Sequence, residues 1–257
     1  MPAPDSWSEW SPLSFLPPLS ERTLAELIDG GQAFRWNRQP DGLWLGVWSD
    51  CVAQIRREET GRISWRAPSR LTTRVAATLP VYLGRHTGFE TMIDALPWRS
   101  DAHLALCLKA FPGLRILRQP FGETLLGFLC SATKQIVQIK QMMELLAARN
   151  GAPFGLLPAE GQTPAKIIHR LPTWAELAAV PEKNLRECLL GFRARYIHDT
   201  ARFIAAHPGW LEETEQLPYA IAKERLCSLP GVGEKSPTAS CFLAQERWKH
   251  FPSMSGS

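Results

Sequence analysis

Leu226-Cys227-Ser228-Leu229-Pro230-Gly231-Val232-Gly233-Glu234-Lys235 ends one helix, turns sharply and opens another, and this stretch decides the fold. A helix predicted over about 218–228 stops here because Pro230 lacks an N–H and its ring clashes with the preceding turn. Gly231 and Gly233 allow a tight turn and a close backbone approach, while Val232 between them is an apolar pin. The resulting hairpin aims consecutive backbone N–H groups and a helix N-terminus at an anion. Gly231, Val232 and Gly233 are therefore candidate phosphate-binding residues of a kind that positions DNA without reading its sequence.

Outward from the hairpin, the rest of the chain reads as α+β. The stretch Phe34–Trp65 alternates large apolar with small or polar residues in FRW, LWLGVW and ISW, and QPDG and EETG supply the turns. This predicts a small antiparallel sheet with one buried face, preceded by an irregular Pro/Ser/Trp-rich lead-in over 1–20. From Leu71 the pattern is helical, beginning with short amphipathic segments. The apolar stripe from Glu123 to Asn150 is interrupted at Ser131-Ala132-Thr133-Lys134-Gln135, so two helices with a polar junction are predicted, with Gly151 as the C-terminal cap. Helices at about 174–180 and 182–206 follow, the second stopped by Pro208-Gly209.

The 257 residues carry 29 basic and 25 acidic side chains, a net charge of +4 that permits a nucleic-acid partner without demanding one. Basic residues gather near the hairpin: Lys183, Arg186, Arg193, Arg195, Lys223, Arg225 and Lys235. The six cysteines, at 51, 107, 130, 188, 227 and 241, stand singly and mostly within apolar stretches. That spacing argues against zinc or iron–sulfur ligation and for reduced core thiols, so no metal site is expected. No apolar run reaches the roughly 18 residues that a membrane span needs, and the start lacks a basic and apolar leader, which predicts a soluble intracellular protein.

Lys235 adds chemistry. A deprotonated amine beside a damaged nucleotide can attack the sugar C1′ and form a Schiff base, whereas a solvated lysine at a helix start would do nothing of the kind.

Four blocks together resemble the 8-oxoguanine DNA glycosylase/AP lyase family of the helix-hairpin-helix superfamily: GGQAFRW (30–36), LRILRQPFGETLLGFLCS (114–131), LLGFRARYI (189–197) and LCSLPGVGEK (226–235). The resemblance implies a small antiparallel-sheet N-terminal domain over 21–115 and a helical helix-hairpin-helix domain over 116–235. It also implies base-excision repair of 8-oxoguanine in duplex DNA, with Lys235 as the catalytic nucleophile. Gly31 takes the place of the glycine whose carbonyl recognises the lesion, because 8-oxoguanine carries a hydrogen at N7 where guanine has an acceptor. Phe192 and Arg193 stand where an aromatic–Arg pair fills or lines the gap left by a flipped base, with Phe in place of the more usual Tyr. Within the segment Ser131–Gln138, Thr133, Lys134 and Gln135 stand where many relatives have an Asn-rich sequence that contacts the orphaned cytosine; Thr, Lys and Gln can still hydrogen-bond there, and Gln138 is counted with them as substrate-binding. No cofactor is implied beyond a structural monovalent cation at the hairpin. The implied partner is duplex DNA with an oxidised purine, bound by a monomer in the cytoplasm or nucleoid of a bacterium or the nucleus of a eukaryote.

After Lys235 the likeness ends. Pro237 falls early in the expected second helix, and no Asp follows Asp199, although the family carries a catalytic Asp near the position of Ser253 and Met254. Read one base out of frame, residues 250–256 can encode Ala-Leu-Pro-Ile-Asp-Val-Trp. The expectation is an aberrant tail over 236–257, from a frameshifted, truncated gene product or a sequencing artefact, with stability and base excision both impaired. Two other functions fit the hairpin. A non-catalytic damaged-DNA-binding protein would keep the turn and not use the lysine. An alkyl-base glycosylase of the 3-methyladenine type would lack it, which Lys235 argues against.

Overall fold

The computed structural model describes residues 6–85, 88–157 and 166–232. The hairpin's Gly233, Lys235 and the whole tail lie outside the described residues. The chain divides into two units, one of residues up to Arg118 with Pro153–Ile168, the other of Gln119–Ala152 with His169 onward.

The first unit is built on a five-stranded antiparallel sheet of order β1-β5-β4-β3-β2. Its strands are β1 (Ser11–Pro12), β2 (Trp36–Arg38), β3 (Trp44–Trp48), β4 (Cys51–Arg57) and β5 (Ile63–Arg66), with α1 (Glu21–Asp29) between the first two. Ser20 caps α1 by accepting from the Thr23 N–H at 3.0 Å, and Leu24, Leu27 and Ile28 turn inward. Trp36 is fully buried, stacks on Trp48 at 5.9 Å and donates from Nε1 to the Tyr82 hydroxyl at 3.1 Å. Its cross-strand partner is Gly46, where a Cβ would lie 2.5 Å from the Trp36 ring, so the indole fits only because that position has no side chain. The predicted strands are all present, but two expectations fail. The lead-in is not irregular throughout: Ser11 pairs with Trp65, and Leu13, Leu16 and Leu19 are buried in the core. Nor is only one sheet face buried. Gln54 and Arg66 are buried together on the opposite face, and the Arg66 and Arg56 guanidiniums lie 4.4 and 4.2 Å from the Trp10 ring centroid. The lead-in tryptophans thus cover charged stems that would otherwise face water.

Three helices complete this unit: α2 (Thr72–Tyr82), α3 (Phe89–Asp94) and α4 (Ala102–Ala110). Val75, Leu79 and Tyr82 of α2 are buried, whereas α3 and α4 bury no residue, against the amphipathic packing expected of them. A two-stranded sheet, β6 (Pro153–Leu157) with β7 (Lys166–His169), returns to the first unit, which the sequence assigned wholly to a helical domain beginning at 116. Arg70 donates to the Phe154 carbonyl, and Ile168 enters the first core.

The second unit is helical. It contains α5 (Phe121–Ser131), α6 (Ile136–Asn150), α7 (Trp174–Ala178), α8 (Glu182–Leu185), α9 (Arg193–Ala206), α10 (Trp210–Gln216) and α11 (Tyr219–Cys227). Helices α5 and α6 meet at the predicted polar junction. Gly151 ends α6 at φ −93°, without the left-handed turn of a glycine cap; glycine is needed because a Cβ there would stand 1.8 Å from the Arg170 carbonyl oxygen. The single helix expected over 182–206 is two. Arg186–Leu190 form a widened turn in which Leu189 takes φ 62°, and Gly191, at φ 57° and ψ −130°, adopts a backbone that glycine alone occupies without strain. Buried Leu185, Cys188 and Leu190 anchor that turn.

A capping box opens α7. Thr173 accepts from the Glu176 N–H at 3.2 Å, and Glu176 Oε2 accepts from the Thr173 N–H at 2.7 Å. Arg170 grips the same carboxylate with both terminal nitrogens at 2.6 and 2.7 Å. Those Arg170 bonds, opposed by burial and helped by Thr173, hold the Glu176 carboxyl down from the usual 4.5 to about 2. A carboxyl lowered on folding stabilises the fold above its unfolded pKa and loses that contribution as pH falls through its folded one. Glu176→Gln is therefore expected to melt lower than the parent at neutral pH, with the difference shrinking between pH 4.5 and about 2. Thermal melts across that range check it, and a pH-independent difference refutes it.

Among the described residues Cys51, Cys130 and Cys188 are buried, but Cys107 is exposed on α4, contrary to its reading as a core thiol. No group of metal-binding side chains occurs among them, and no helix of the described residues is long and apolar enough to cross a membrane.

Candidate functional site

Three turns of the second unit carry most of the predicted site. The first is the α5–α6 junction. Ala132 ends α5, Thr133 takes φ 58°, and Gln135 caps α6 in a box with Gln138, whose Oε1 accepts from the Gln135 N–H at 3.2 Å. Gln135 and Gln138 are thus engaged with one another at the helix start, while Thr133 is exposed and Lys134 half-buried. Next to this cap Ile136 and Val137 leave apolar surface open, Val137 to 74%.

The second turn is 188–192. Phe192 is 57% exposed and meets Tyr196, one helical turn on, edge-to-face at 6.1 Å. Arg193 differs from its expected placement. It is 3% exposed, and its guanidinium, 4.4 Å from the Phe192 ring centroid, does not project from the surface. One terminal nitrogen donates to the Ala132 carbonyl and to Thr133 Oγ1 at 3.1 Å; the other reaches the Leu190 carbonyl at 3.4 Å. One buried cation therefore ties the first turn to the second, and its Nε has no hydrogen-bond partner among the described residues. Burial pushes the neighbouring Cys130 thiol up to about 12, against the pull of the Arg193 charge.

The third turn is Leu229–Val232, the described part of the predicted hairpin. Leu229 and Val232 are buried, and the Val232 N–H donates to the Leu229 carbonyl at 3.2 Å. Gly231, at φ 81°, lies against Tyr196, where a Cβ would come within 2.7 Å of the ring. Thr200 donates to the Pro230 carbonyl at 3.4 Å. One face of α9 thus holds the hairpin through Tyr196 and Thr200, while its first turn carries Phe192 and Arg193. Tyr196, Ala132 and Leu189 were not singled out from the sequence. The i, i+4, i+8 spacing of Phe192, Tyr196 and Thr200 was the available signal. Gly31 belongs to the first unit, directly after the Gly30 that ends α1, with φ 102°. Beside it Gln32 donates to the Arg115 carbonyl at 3.1 Å and accepts from the Leu117 N–H at 3.0 Å.

Residues 14–125 match the domain family described as 8-oxoguanine DNA glycosylase, N-terminal domain. Over 240 residues, 91% of the chain, the sequence is 27% identical to N-glycosylase/DNA lyase OGG1 of Arabidopsis thaliana. It is 28% identical over 246 residues, 87% of the chain, to the N-glycosylase/DNA lyase of Saccharomyces cerevisiae. The Clostridium acetobutylicum 8-oxoguanine glycosylase/lyase in its apo form superposes with a TM-score of 0.72 at 27% identity, covering 86% of this chain and 73% of that one. Residues 14–125 thus carry an N-terminal domain of the 8-oxoguanine DNA glycosylase type. The chain shares the fold of that solved structure, an antiparallel sheet followed by helices, and it spans 62% and 63% of the length of the plant and yeast relatives.

Proposed function

We propose that this chain is a base-excision repair protein that flips 8-oxoguanine out of duplex DNA and attacks C1′ of the damaged nucleotide through Lys235. The observation that carries the reading is the double use of α9. Its N-terminal end presents Phe192 to solvent, and its Tyr196 and Thr200 hold the Leu229–Val232 turn, three residues short of Lys235. An exposed aromatic of this kind can occupy the space a flipped base leaves, and the hairpin N–H groups fit a backbone phosphate. The amine then forms a bond to C1′ as the glycosidic bond breaks, and the base departs; no cofactor enters that chemistry. The Gly31 carbonyl is the acceptor for the N7 hydrogen of the lesion. The protein acts as a monomer inside the cell.

Because Ser253 and Met254 stand where the family carries its catalytic Asp, the reading expects duplex binding with weak excision: the developing charge at C1′ lacks a carboxylate from that position. Borohydride trapping on an 8-oxoguanine:cytosine duplex is the test. A faint adduct that disappears in Lys235→Gln is the expected result. An adduct that persists in the variant removes Lys235 from the mechanism, and an intense parental adduct disproves the impairment. The same Ser253-Met254 in place of the Asp favours a second reading, a non-catalytic binder of damaged DNA. It holds if no adduct forms and Lys235→Gln leaves the affinity unchanged.

A further inference from the structure

Leu189 holds two unfavourable features in one place. Its backbone lies in the left-handed region at φ 62° and ψ 17°, where a residue with a Cβ is strained by about 1 kcal/mol. Its side chain is 52% exposed, so the strain is not offset by burial of the isobutyl group. A glycine would remove both costs at once. The flanking Cys188 and Leu190 are fully buried, and the Leu190 carbonyl is held by Arg193, so the turn fixes Leu189 outward between two anchors. Three residues on stands Phe192, equally exposed.

Strained residues are retained where the exposed group is used. Lys183, Arg186 and Arg195 are exposed around this turn, Arg186 paired with Glu182 and Arg195 with Asp199, and α9 starts with neither an acidic residue in its first turn nor a side-chain cap. That uncompensated helix start, beside the exposed Phe192, favours a polyanion over an apolar protein face. We propose that Leu189 is a second apolar contact on duplex DNA, pressing on the base step beside the one opened by Phe192, so that the two act as a paired wedge. Leu and Phe are both side chains that unstack base steps by insertion, at a few kcal/mol per step. The inference rests on the DNA-repair reading above and adds a specific residue to it.

The test uses the full chain and a duplex with 2-aminopurine beside 8-oxoguanine, reporting unstacking by fluorescence and affinity by anisotropy. Leu189→Gly and Leu189→Asn both suit the left-handed backbone and remove the apolar group; Phe192→Ala is the comparison. The expected result is about tenfold weaker binding for either Leu189 variant, equivalent to burying much of one leucine, with a reduced fluorescence rise and a melting temperature no lower than the parent's. Unchanged fluorescence and affinity in both variants, with Phe192→Ala impaired, overturns the paired wedge and leaves the repair reading standing. A parent that neither binds the duplex nor unstacks it overturns both. If the Leu189 variants instead abolish a concentration-dependent dimer with DNA binding intact, the contact is with a second copy and the proposal fails.

Discussion

Arg193→Ala is expected to destabilise the second unit by about 3 kcal/mol, the largest effect of any single substitution in the candidate site. The guanidinium is buried, and its terminal nitrogens serve the carbonyls of Ala132 and Leu190 and the Thr133 hydroxyl. Removing a charged donor leaves those acceptors without it in a site from which water is largely excluded. The two backbones it joins are also the strained ones, Thr133 at φ 58° and Leu189 at φ 62°. Both turns should loosen together. Limited proteolysis should then cut near 131–135 and near 186–192, and urea unfolding should shift to lower midpoint. Arg193→Lys should recover only part of the loss, because an ammonium cannot span three acceptors with a planar fork. If Arg193→Ala unfolds within 0.5 kcal/mol of the parent (about the range of a neutral surface change), the guanidinium does not hold the turns.

Trp36→Ala is expected to cost the first unit about 3–5 kcal/mol. The indole is fully buried, stacks with Trp48, donates to Tyr82 and fills the space that Gly46 leaves across the sheet. Truncation opens a cavity that neighbouring strands cannot close, because Gly46 has no side chain to move into it. Trp36→Phe keeps most of the ring but loses the bond to the Tyr82 hydroxyl, and should cost less, about 1 kcal/mol for the bond plus a packing term. Urea unfolding of the two variants is the measurement. A loss under about 1.5 kcal/mol for Trp36→Ala would place the stacking outside the core that holds the sheet.

Arg193 also marks how far sequence reading extended into the site. Its neighbour Phe192 is exposed, as a wedge requires and a core aromatic would not be. Yet a basic residue beside it reads equally well as a surface cation or as a buried tie, since only the position of the Ala132 carbonyl distinguishes them. The same limit applied at 182–206. Apolar spacing favoured one helix, and the break at Leu189–Gly191 followed from buried anchors at 185, 188 and 190 that periodicity does not weigh. The lead-in, too, looked irregular because Pro and Ser carry no strand pattern, although two residues of it pair with β5.

What the sequence determined by itself was set by local chemistry. Alternation and turn residues made the strands of 36–66, the polar junction divided α5 from α6, and Leu-Pro-Gly-Val made the turn that follows α11. These depend on neighbours in the chain, so they can be read from it. Tertiary structure alone decided that Arg193 turns inward to bind a carbonyl sixty-one residues away, that Gly231 seats on Tyr196, and that β6 and β7 return to the first unit. Each depends on where distant backbone atoms come to lie, and burial, charge and hydrogen bonding act on that distance rather than on separation along the chain.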